Sequence, residues 1–575
     1  MQAWRRCAAA VALLLVLSTA CAGPQGQTVT DGSAPARQSR TLTMAVKYEV
    51  PDLAPKLPAS SGPNTTRRLF NSFLSLIDDT GKARPYLAES LPELNTETWR
   101  VFADGAMETT YRLRPGLTWQ DGAPLTAEDF VFAFQVYREP GLGFISRPEI
   151  LMDAVLAPDP RTLVIQWRAA YPEAGILELD GLVPLPRHLL EEAFADYGRT
   201  GVRETFLARP FWTAEYVGAG PYRLTHWEPG SHLEAEAFGG HVLGRPKIDR
   251  LVVRVIPDEN TVLTVVLAGG QLDFTNFQTL KFEHLTTVRR DWEAAGKGFV
   301  ATIKNSGTTL TPQLRPEYVG DRALLDVRVR RAMAHTLDRL SVNEGVFDGI
   351  GFPSEVFVPD TEPMYQEFER VRMKFPPDQQ RAERLMAEAG FARDGGGLFA
   401  DASGRRFRLD FLFTAGTQNE QIQAILSDSW RRAGFDVYPA VLSEADTRNP
   451  STRHTFKGLA SRGGTPVPAM HTSEGIGSPA NRWAGENRGG WSNPDYDRLF
   501  STFSSSLDSN ERMRYWVQMM TMVNDLVLAH LLFFNVQTRT WVTGLSGPDI
   551  GVHGFGQLAP GTTPHWNIHE WHWTK

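Results

Sequence analysis

The stretch YRLRPGLTWQDGAPLTAED, residues 111–129, predicts a strand, a tight turn and the start of a helix in direct succession. Asp121-Gly122 suits the turn, because aspartate bonds to its own backbone and glycine accepts a positive φ. Thr126 offers a side-chain oxygen to the free amides of a helix start, and an acidic first turn that includes Asp129 suits the positive end of the helix dipole. The aromatic residues that follow at helical spacing continue this helix.

Segments on both sides of this stretch extend the mixed pattern. Residues 41–46, 162–167 and 251–256 are typical of strands. In the C-terminal half, two helices are predicted to end at Gly390 and at Gly434, because glycine just past the last apolar position can adopt the left-handed cap. A strand follows the second of these helices, so this half predicts α/β layering.

Length, composition and charge limit the class of protein. A chain of 575 residues is too long for one compact core, which predicts about two to four domains. A net charge of −7 gives no electrostatic grip on nucleic acid, so we expect no nucleic-acid partner. The chain has 2 cysteines, both near its start, so the folded body is expected to need no disulfides.

The N-terminal segment is typical of a secretory signal, which we assign to residues 1–20. It has a basic start and an apolar run at 8–17 that is shorter than the roughly 20 residues that a bilayer requires. The run ends in small residues before Cys21, which resembles the lipobox of bacterial lipoproteins, although Ser18 stands where leucine is usual. The alternative is an ordinary signal peptide with an incidental cysteine. The polar residues 21–40 predict a flexible tether.

Six ordered groups of segments resemble one family along nearly the whole body. They lie at 85–91, 111–129, 218–222, 248–273, 326–339 and 490–497. Together they resemble the extracytoplasmic solute-binding proteins of peptide, nickel and oligosaccharide ABC importers, the oligopeptide/dipeptide-binding family. The chain departs from that pattern at Trp119-Gln120, where the family usually has Phe-His.

The resemblance implies an α/β, periplasmic-binding-protein-like fold of type II, cluster C. Two lobes are joined by a two-strand hinge, and an extra domain sits on the first lobe. The implied boundaries are 41–67, 208–306 and 535–575 for the first lobe, 68–207 for the extra domain and 307–534 for the second lobe. The hinge crossings are expected at residues 303–305 and 534–535.

The ligand site implied by the resemblance differs from that of the peptide-binding members. Those members place in the second lobe an aspartate that pairs with the α-amine of the ligand. The matching segment here, residues 457–464, has Arg462 at the place of the acid and Leu459 at the place of the usual tryptophan. A buried guanidinium repels an ammonium group and favours a carboxylate or phosphate. We expect Arg462 to face the cleft and the ligand to be anionic, zwitterionic with reversed polarity, or neutral and polar; the alternative is a surface arginine with a shifted alignment.

Aromatic and polar residues complete the predicted ligand site. Trp483 lies on a loop rich in glycine and asparagine ahead of Trp491, and indoles suit sugars, peptide planes and cations. Core packing is the alternative for both, because tryptophan is highly buried on average. Tyr48, at the end of the first strand, and Asn305, at the crossing, are further cleft candidates by resemblance.

Enzyme motifs are not supported by the sequence. Residues 569–572, His-Glu-Trp-His, are one residue short of a zinc-protease motif, and residues 544–548 lack the second glycine of a nucleophile elbow. We expect no catalytic residues, no metal and no cofactor. The predicted function is a lipid-anchored, extracytoplasmic, monomeric receptor that binds a peptide-like, anionic or other polar solute and passes it to an ABC permease. The alternative is an extracytoplasmic hydrolase or a ligand-sensing receptor on the same fold.

Overall fold

The structure is a computed structural model that describes residues 40–56, 64–144, 148–178, 181–276, 278–443, 446–447, 449–548 and 565–574, without the side chains of residues 64, 65, 303 and 305. Cys21, the predicted signal segment and nearly all of the predicted tether lie outside the described residues.

The described residues form strands of very different lengths. They are β1 (Thr41–Val46), β2 (Ser75–Ile77), β3 (Ala83–Pro85), β4 (Trp99–Val101), β5 (Met107–Arg112), β6 (Met152–Asp159), β7 (Thr162–Trp167), β8 (Tyr222–Glu228), β9 (His232–Ala237), β10 (Arg250–Val255), β11 (Phe274–Thr275), β12 (Gly298–Pro312), β13 (Phe352–Pro353), β14 (Phe391–Arg393), β15 (Phe399–Asp401), β16 (Arg408–Thr414), β17 (Asp436–Leu442), β18 (Leu459–Gly463), β19 (His530–Val542), β20 (Leu545–Ser546) and β21 (His572–Trp573).

The α-helices of the described residues lie mainly between these strands. They are α1 (Asn64–Phe70), α2 (Ala127–Tyr137), α3 (Arg187–Thr200), α4 (Glu204–Leu207), α5 (Glu259–Ala268), α6 (His284–Val288), α7 (Val327–His335), α8 (Arg339–Phe347), α9 (Tyr365–Val371), α10 (Gln379–Glu388), α11 (Thr417–Arg432), α12 (Pro494–Ser505) and α13 (Ser509–Asp525).

One large sheet runs through the molecule. Its strand order is β17-β16-β18-β12-β19-β11-β1-β10-β9-β8, with β13 beside β19. β1 is parallel to β10 and β11, and β16 is parallel to β17 and β18, so each half of the sheet has a parallel centre. We call β1 and β8–β11 the first sheet half, and β16–β18 the second sheet half.

Two long strands connect the sheet halves. β12 is 15 residues long and pairs antiparallel with β19 along most of its length. The register between them shifts between Lys304 and Gly307, opposite Phe534. Such an irregularity breaks the ladder and bends the strand locally. The two crossing strands agree with the predicted two-strand hinge, and the irregularity lies close to the residues at which the crossings were predicted.

A separate sheet of order β4-β5-β7-β6 packs with α2 and α3 beside the first sheet half. Thr126 and Asp129 form the predicted capping box at the start of α2. One continuous apolar core includes Met44 of β1 together with Phe130 of α2 and Trp167 of β7. Because they share a core, this sheet and the first sheet half are expected to move as one body.

The second sheet half is covered on both faces. Leu310 and Leu459 contribute to an apolar core with α7, α8, α10 and α11. Side chains alternate along a strand, so Thr309 and its pairing partner Arg462 belong to the opposite face. The helices α9, α12 and α13 pack around Leu531 on that second face. The predicted fold class is confirmed, and the residue boundaries of the domains stay a prediction.

Candidate functional site

An open cleft lies between the two sheet halves, beside the crossing strands. Lys47 and Lys281 line it on one side, Thr417 and Asn419 at the start of α11 line it on the other, and Asn535 of β19 lies at its base. Its empty volume is about 1490 Å³. The cleft lies at the carboxyl ends of β1 and β16. Ligands bind at this edge in open α/β sheets.

A smaller cavity lies within the second sheet half. It is lined by residues of β12, β16, β18 and the segment after β17, and its empty volume is about 430 Å³. Arg453, Arg462 and Arg488 all contribute to its wall, so we call it the arginine cavity. A neighbouring cavity of about 390 Å³ shares Arg462 and Arg488 and adds His471 and Trp491.

Arg462 is almost fully enclosed between these two cavities, with 9% of its side chain exposed. Its Nη1 donates to the backbone oxygen of Glu486 at 2.7 Å, and its Nη2 bonds to the carboxylate of the same residue. Its Nε is buried and has no hydrogen-bond partner among the described residues. Burial lowers the pKa of Arg462, while Glu486 opposes that shift. Arg462 remains charged at neutral pH, because a guanidinium does not lose its proton in that range.

Positive charge exceeds negative charge around Arg462. Burial, with repulsion from Arg462, lowers the pKa of Arg488 to about 10. Burial, and then repulsion from arginines, lowers the pKa of His454 to about 4, so this ring is neutral at pH 7. Among the described residues that line the two cavities, Glu486 is the only acid, and 60% of its side chain is exposed.

Asn487 holds the loop that carries Glu486 and Arg488. Its side chain is buried, and its Nδ2 donates to the backbone oxygens of Thr472 at 2.9 Å and Trp491 at 2.7 Å. Its Oδ1 accepts the amide of Gly490 at 2.9 Å. These three bonds fix the loop backbone, so the directions in which the adjacent charged side chains leave the chain are fixed too.

The predicted aromatic residues lie around the same part of the second sheet half. Trp483 is half-buried, with a left-handed φ of 63°, and its ring centroid is 6.2 Å from that of His454. Trp491 lines the neighbouring cavity and packs edge-on against Tyr496, with ring centroids 5.2 Å apart. Trp491 therefore also packs in the apolar core, as the alternative interpretation expected.

The other predicted site residues lie elsewhere. Tyr48 follows β1, is 49% exposed, and stands beside the cleft residue Lys47. Asn305 lies in β12 at the irregular part of the hinge, and its side chain is outside the described part of the structure. The structure thus places Arg462 and Trp491 in the wall of one cavity, while Tyr48 stands beside a residue of the open cleft.

Sequence reasoning missed Arg453 and Arg488. They are 35 positions apart in the chain and belong to different loops, so no local pattern relates them. The signal that could have indicated Arg488 is its place between Trp483 and Trp491, on the loop already selected for its aromatic residues. Nothing comparable marks Arg453.

Two other features bear on the class of protein. Within the described ranges, no group of three or more histidine, cysteine or acidic side chains is arranged to hold a metal ion. His565 and His569, part of the histidine-rich end, instead pack against Phe274 and His241. In the part of the chain that the structure describes, no helix is long and apolar enough to cross a membrane.

Comparison with known protein families shows to which family this architecture belongs. The profile described as "Bacterial extracellular solute-binding proteins, family 5 Middle" matches residues 82–473. The chain belongs to this family. The resemblance seen in the sequence is therefore confirmed, and the match includes the segment 111–129 as well as Arg462.

Individual relatives of this family 5 protein have low sequence identity to it but align over much of its length. Oligopeptide-binding protein AppA of Bacillus subtilis (strain 168) is 25% identical over 380 residues, which span 64% of this chain and 62% of that relative. The Dipeptide-binding protein of Escherichia coli (strain K12) is 22% identical over 585 residues, 95% of this chain and 97% of its own length. Both relatives are named as binding proteins.

A solved structure supports the same fold for this family 5 protein. The oligopeptide binding protein from Thermus thermophilus, complexed with a pentapeptide, superposes with a TM-score of 0.69 at 21% identity. The superposition covers 93% of this chain and 96% of that structure.

Proposed function

We propose that this chain is an extracytoplasmic receptor that captures a peptide-like or other polar small solute and delivers it to the permease of an ABC importer. The observation that carries this proposal is the open cleft at the carboxyl ends of β1 and β16, beside a hinge of two strands. Rotation about such a hinge encloses a ligand between two bodies. Membership of a family of extracellular solute-binding proteins supports the same role.

The proposed lobes follow from the crossing strands. The first lobe comprises residues 41–67, 208–306 and 535–575, with the extra domain at 68–207, and the second lobe comprises residues 307–534. The register shift between Lys304 and Gly307 supports a pivot close to these boundaries. The core shared by the extra domain and the first lobe supports their movement as one body.

Attachment to a membrane through a lipid on Cys21 is the second part of the proposal. A tethered receptor meets its permease at a higher effective concentration than a free one. The mass of the mature N-terminus tests this part: a diacylglyceryl group on Cys21 supports it, and an unmodified N-terminus elsewhere contradicts it.

The receptor role is tested by isolating the protein gently and identifying bound small molecules by native mass spectrometry. We expect one solute per chain, released unchanged on denaturation. Returning that solute to refolded, ligand-free protein is expected to change the tryptophan fluorescence, because lobe closure alters the surroundings of several indoles. Chemical conversion of the solute would contradict the receptor role and indicate a hydrolase. Normal uptake of the solute by cells that lack the protein would contradict delivery to a permease.

A further inference from the structure

The arginine cavity has a surplus of positive charge among its described lining residues. Arg453, Arg462 and Arg488 line it, and none of its described lining residues is an acid. Glu486 pairs with Arg462 from the adjoining cavity and also attracts Arg488, so among the described lining residues one carboxylate serves three guanidinium groups. Clustered charges of one sign in a partly buried site are costly unless a counter-charge joins them.

Unused donors indicate where that counter-charge would sit. The buried Nε atoms of Arg453 and Arg462 have no hydrogen-bond partner among the described residues. Arg462 is more than nine-tenths buried, so water does not freely replace the missing partner. Buried donors without acceptors cost free energy, and a ligand oxygen placed between them removes that cost.

Structural arginines in the same lobe are bound differently. Arg330 donates to the backbone oxygens of Leu324, Leu325 and Leu526 at 2.8 to 3.0 Å. Arg315 donates to the backbone oxygen of Gly477 at 2.9 Å and to that of His454. This fold thus satisfies a structural guanidinium with several carbonyl groups. Among the described residues, Arg462 donates to a single carbonyl group and a carboxylate, and Arg453 and Arg488 have no comparable set of carbonyl acceptors, which argues against a purely structural role.

The lining of the cavity fits the anionic group of an organic solute. Thr311 and Thr414 add hydroxyl groups, while Leu412 and Phe456 supply an apolar wall. Guanidinium groups bind carboxylate and phosphate through paired N–H donors, and the apolar wall suits a carbon skeleton attached to that anionic group.

We propose that the solute of this receptor carries a carboxylate or phosphate group, and that Arg453, Arg462 and Arg488 bind that group in the arginine cavity. This inference rests on the proposed function and adds the chemical class of the ligand and three residues that select it. A solute whose contact end is a free amine is disfavoured by the same charges.

The test uses matched probes on refolded, ligand-free full-length protein. Benzoate and phenyl phosphate carry the two candidate groups, and benzamide is the neutral counterpart of benzoate. Calorimetric titration at low salt is expected to show saturable binding of at least one anion and none of benzamide. The stronger of the two anions identifies the preferred group. Binding of all three probes alike, or of no probe at millimolar concentration, overturns the inference.

Variants then assign the binding to the arginines. Arg453→Gln, Arg462→Gln and Arg488→Gln are each expected to weaken binding of the anion about 10- to 100-fold, the usual effect of losing a hydrogen bond to a charged group. Arg432→Gln removes an exposed arginine paired with Asp428 and is expected to leave binding unchanged. Unchanged affinity in all three cavity variants overturns the assignment.

Thermal unfolding without any anion separates this role from a structural one. Arg488→Gln is expected to keep or raise the melting temperature, because it removes repulsion from Arg462. A marked fall would show that Arg488 supports the fold instead. The receptor proposal has its own test: closure around a cationic or neutral solute would overturn this inference and leave that proposal intact.

Discussion

Glu178 and Arg68 form an ion pair inside the core, with 3% of each side chain exposed. Glu178 also accepts the amide of Ile77 at 2.8 Å. Glu178→Ala is expected to lower the free energy of unfolding by about 3–5 kcal/mol, because it leaves a buried guanidinium without its counter-charge. Urea unfolding measures this loss. Glu192→Ala, at an exposed position of α3, is the control and is expected to change stability by less than about 0.5 kcal/mol; equal effects of the two variants would contradict the prediction.

Single residues were predictable from the sequence where their role is local. Thr126 caps α2 as expected, because a helix cap depends only on neighbours in the chain. Gly220 is different: a Cβ atom there would lie 2.3 Å from the carbonyl carbon of Phe70, so glycine permits close approach of a distant segment, which no local pattern indicates. Arg453 and Arg488 were missed for the same reason, since folding alone brings their loops together.

At the scale of elements, the hinge is held by Asn535 of β19. Its Nδ2 donates to Ser306 Oγ at 3.0 Å and to the backbone oxygen of Gly307 at 3.3 Å, and its Oδ1 accepts from Thr308 Oγ1 at 2.9 Å. Asn535→Ala is expected to raise amide hydrogen exchange in residues 304–308 several-fold, because the irregular part of β12 loses its cross-strand bonds.

The matched control for this hinge prediction is Gln418→Ala. Gln418 is exposed and lines the same cleft, but it lies outside β12 and β19. We expect its exchange pattern in residues 304–308 to equal that of the unchanged protein. Equal exchange in the Asn535 variant would show that Asn535 does not hold the hinge.

Elements with strong local periodicity were predicted correctly from the sequence. β1 and β7 have the predicted bounds, and Gly390 and Gly434 follow the ends of α10 and α11 with positive φ values of 92° and 102°. At the C-terminal end of the described residues, His572–Trp573 is a two-residue strand that follows a short 3₁₀ helix. The pattern of tryptophan and histidine at this end reflects separate core contacts rather than one ladder.

At the scale of the whole molecule, buried histidines make stability depend on pH. Burial lowers the pKa of His241 to about 4, of His471 to about 3 and of His530 to about 3. The unfolded chain therefore binds more protons than the folded chain as pH falls below about 6.5, and the folded state loses stability there. Asp52 acts in the opposite direction, because burial raises its pKa to about 6, but the histidines outnumber it.

We expect the free energy of unfolding to fall as pH decreases from 7 to 4.5, with roughly 2 kcal/mol of that fall due to each fully buried histidine. Urea titrations at several pH values measure it. His530 is buried, and Arg339 and Arg330 repel its charged form. His530→Gln is therefore expected to remove the part of the pH dependence that His530 causes, so that the free energy of unfolding falls less between pH 6.5 and 4.5. His226→Gln, at an exposed position of β8, provides the control and is expected to leave the slope unchanged. A His530 variant with the original slope would mean that this ring is not held neutral by the folded state, and that the acid sensitivity arises elsewhere.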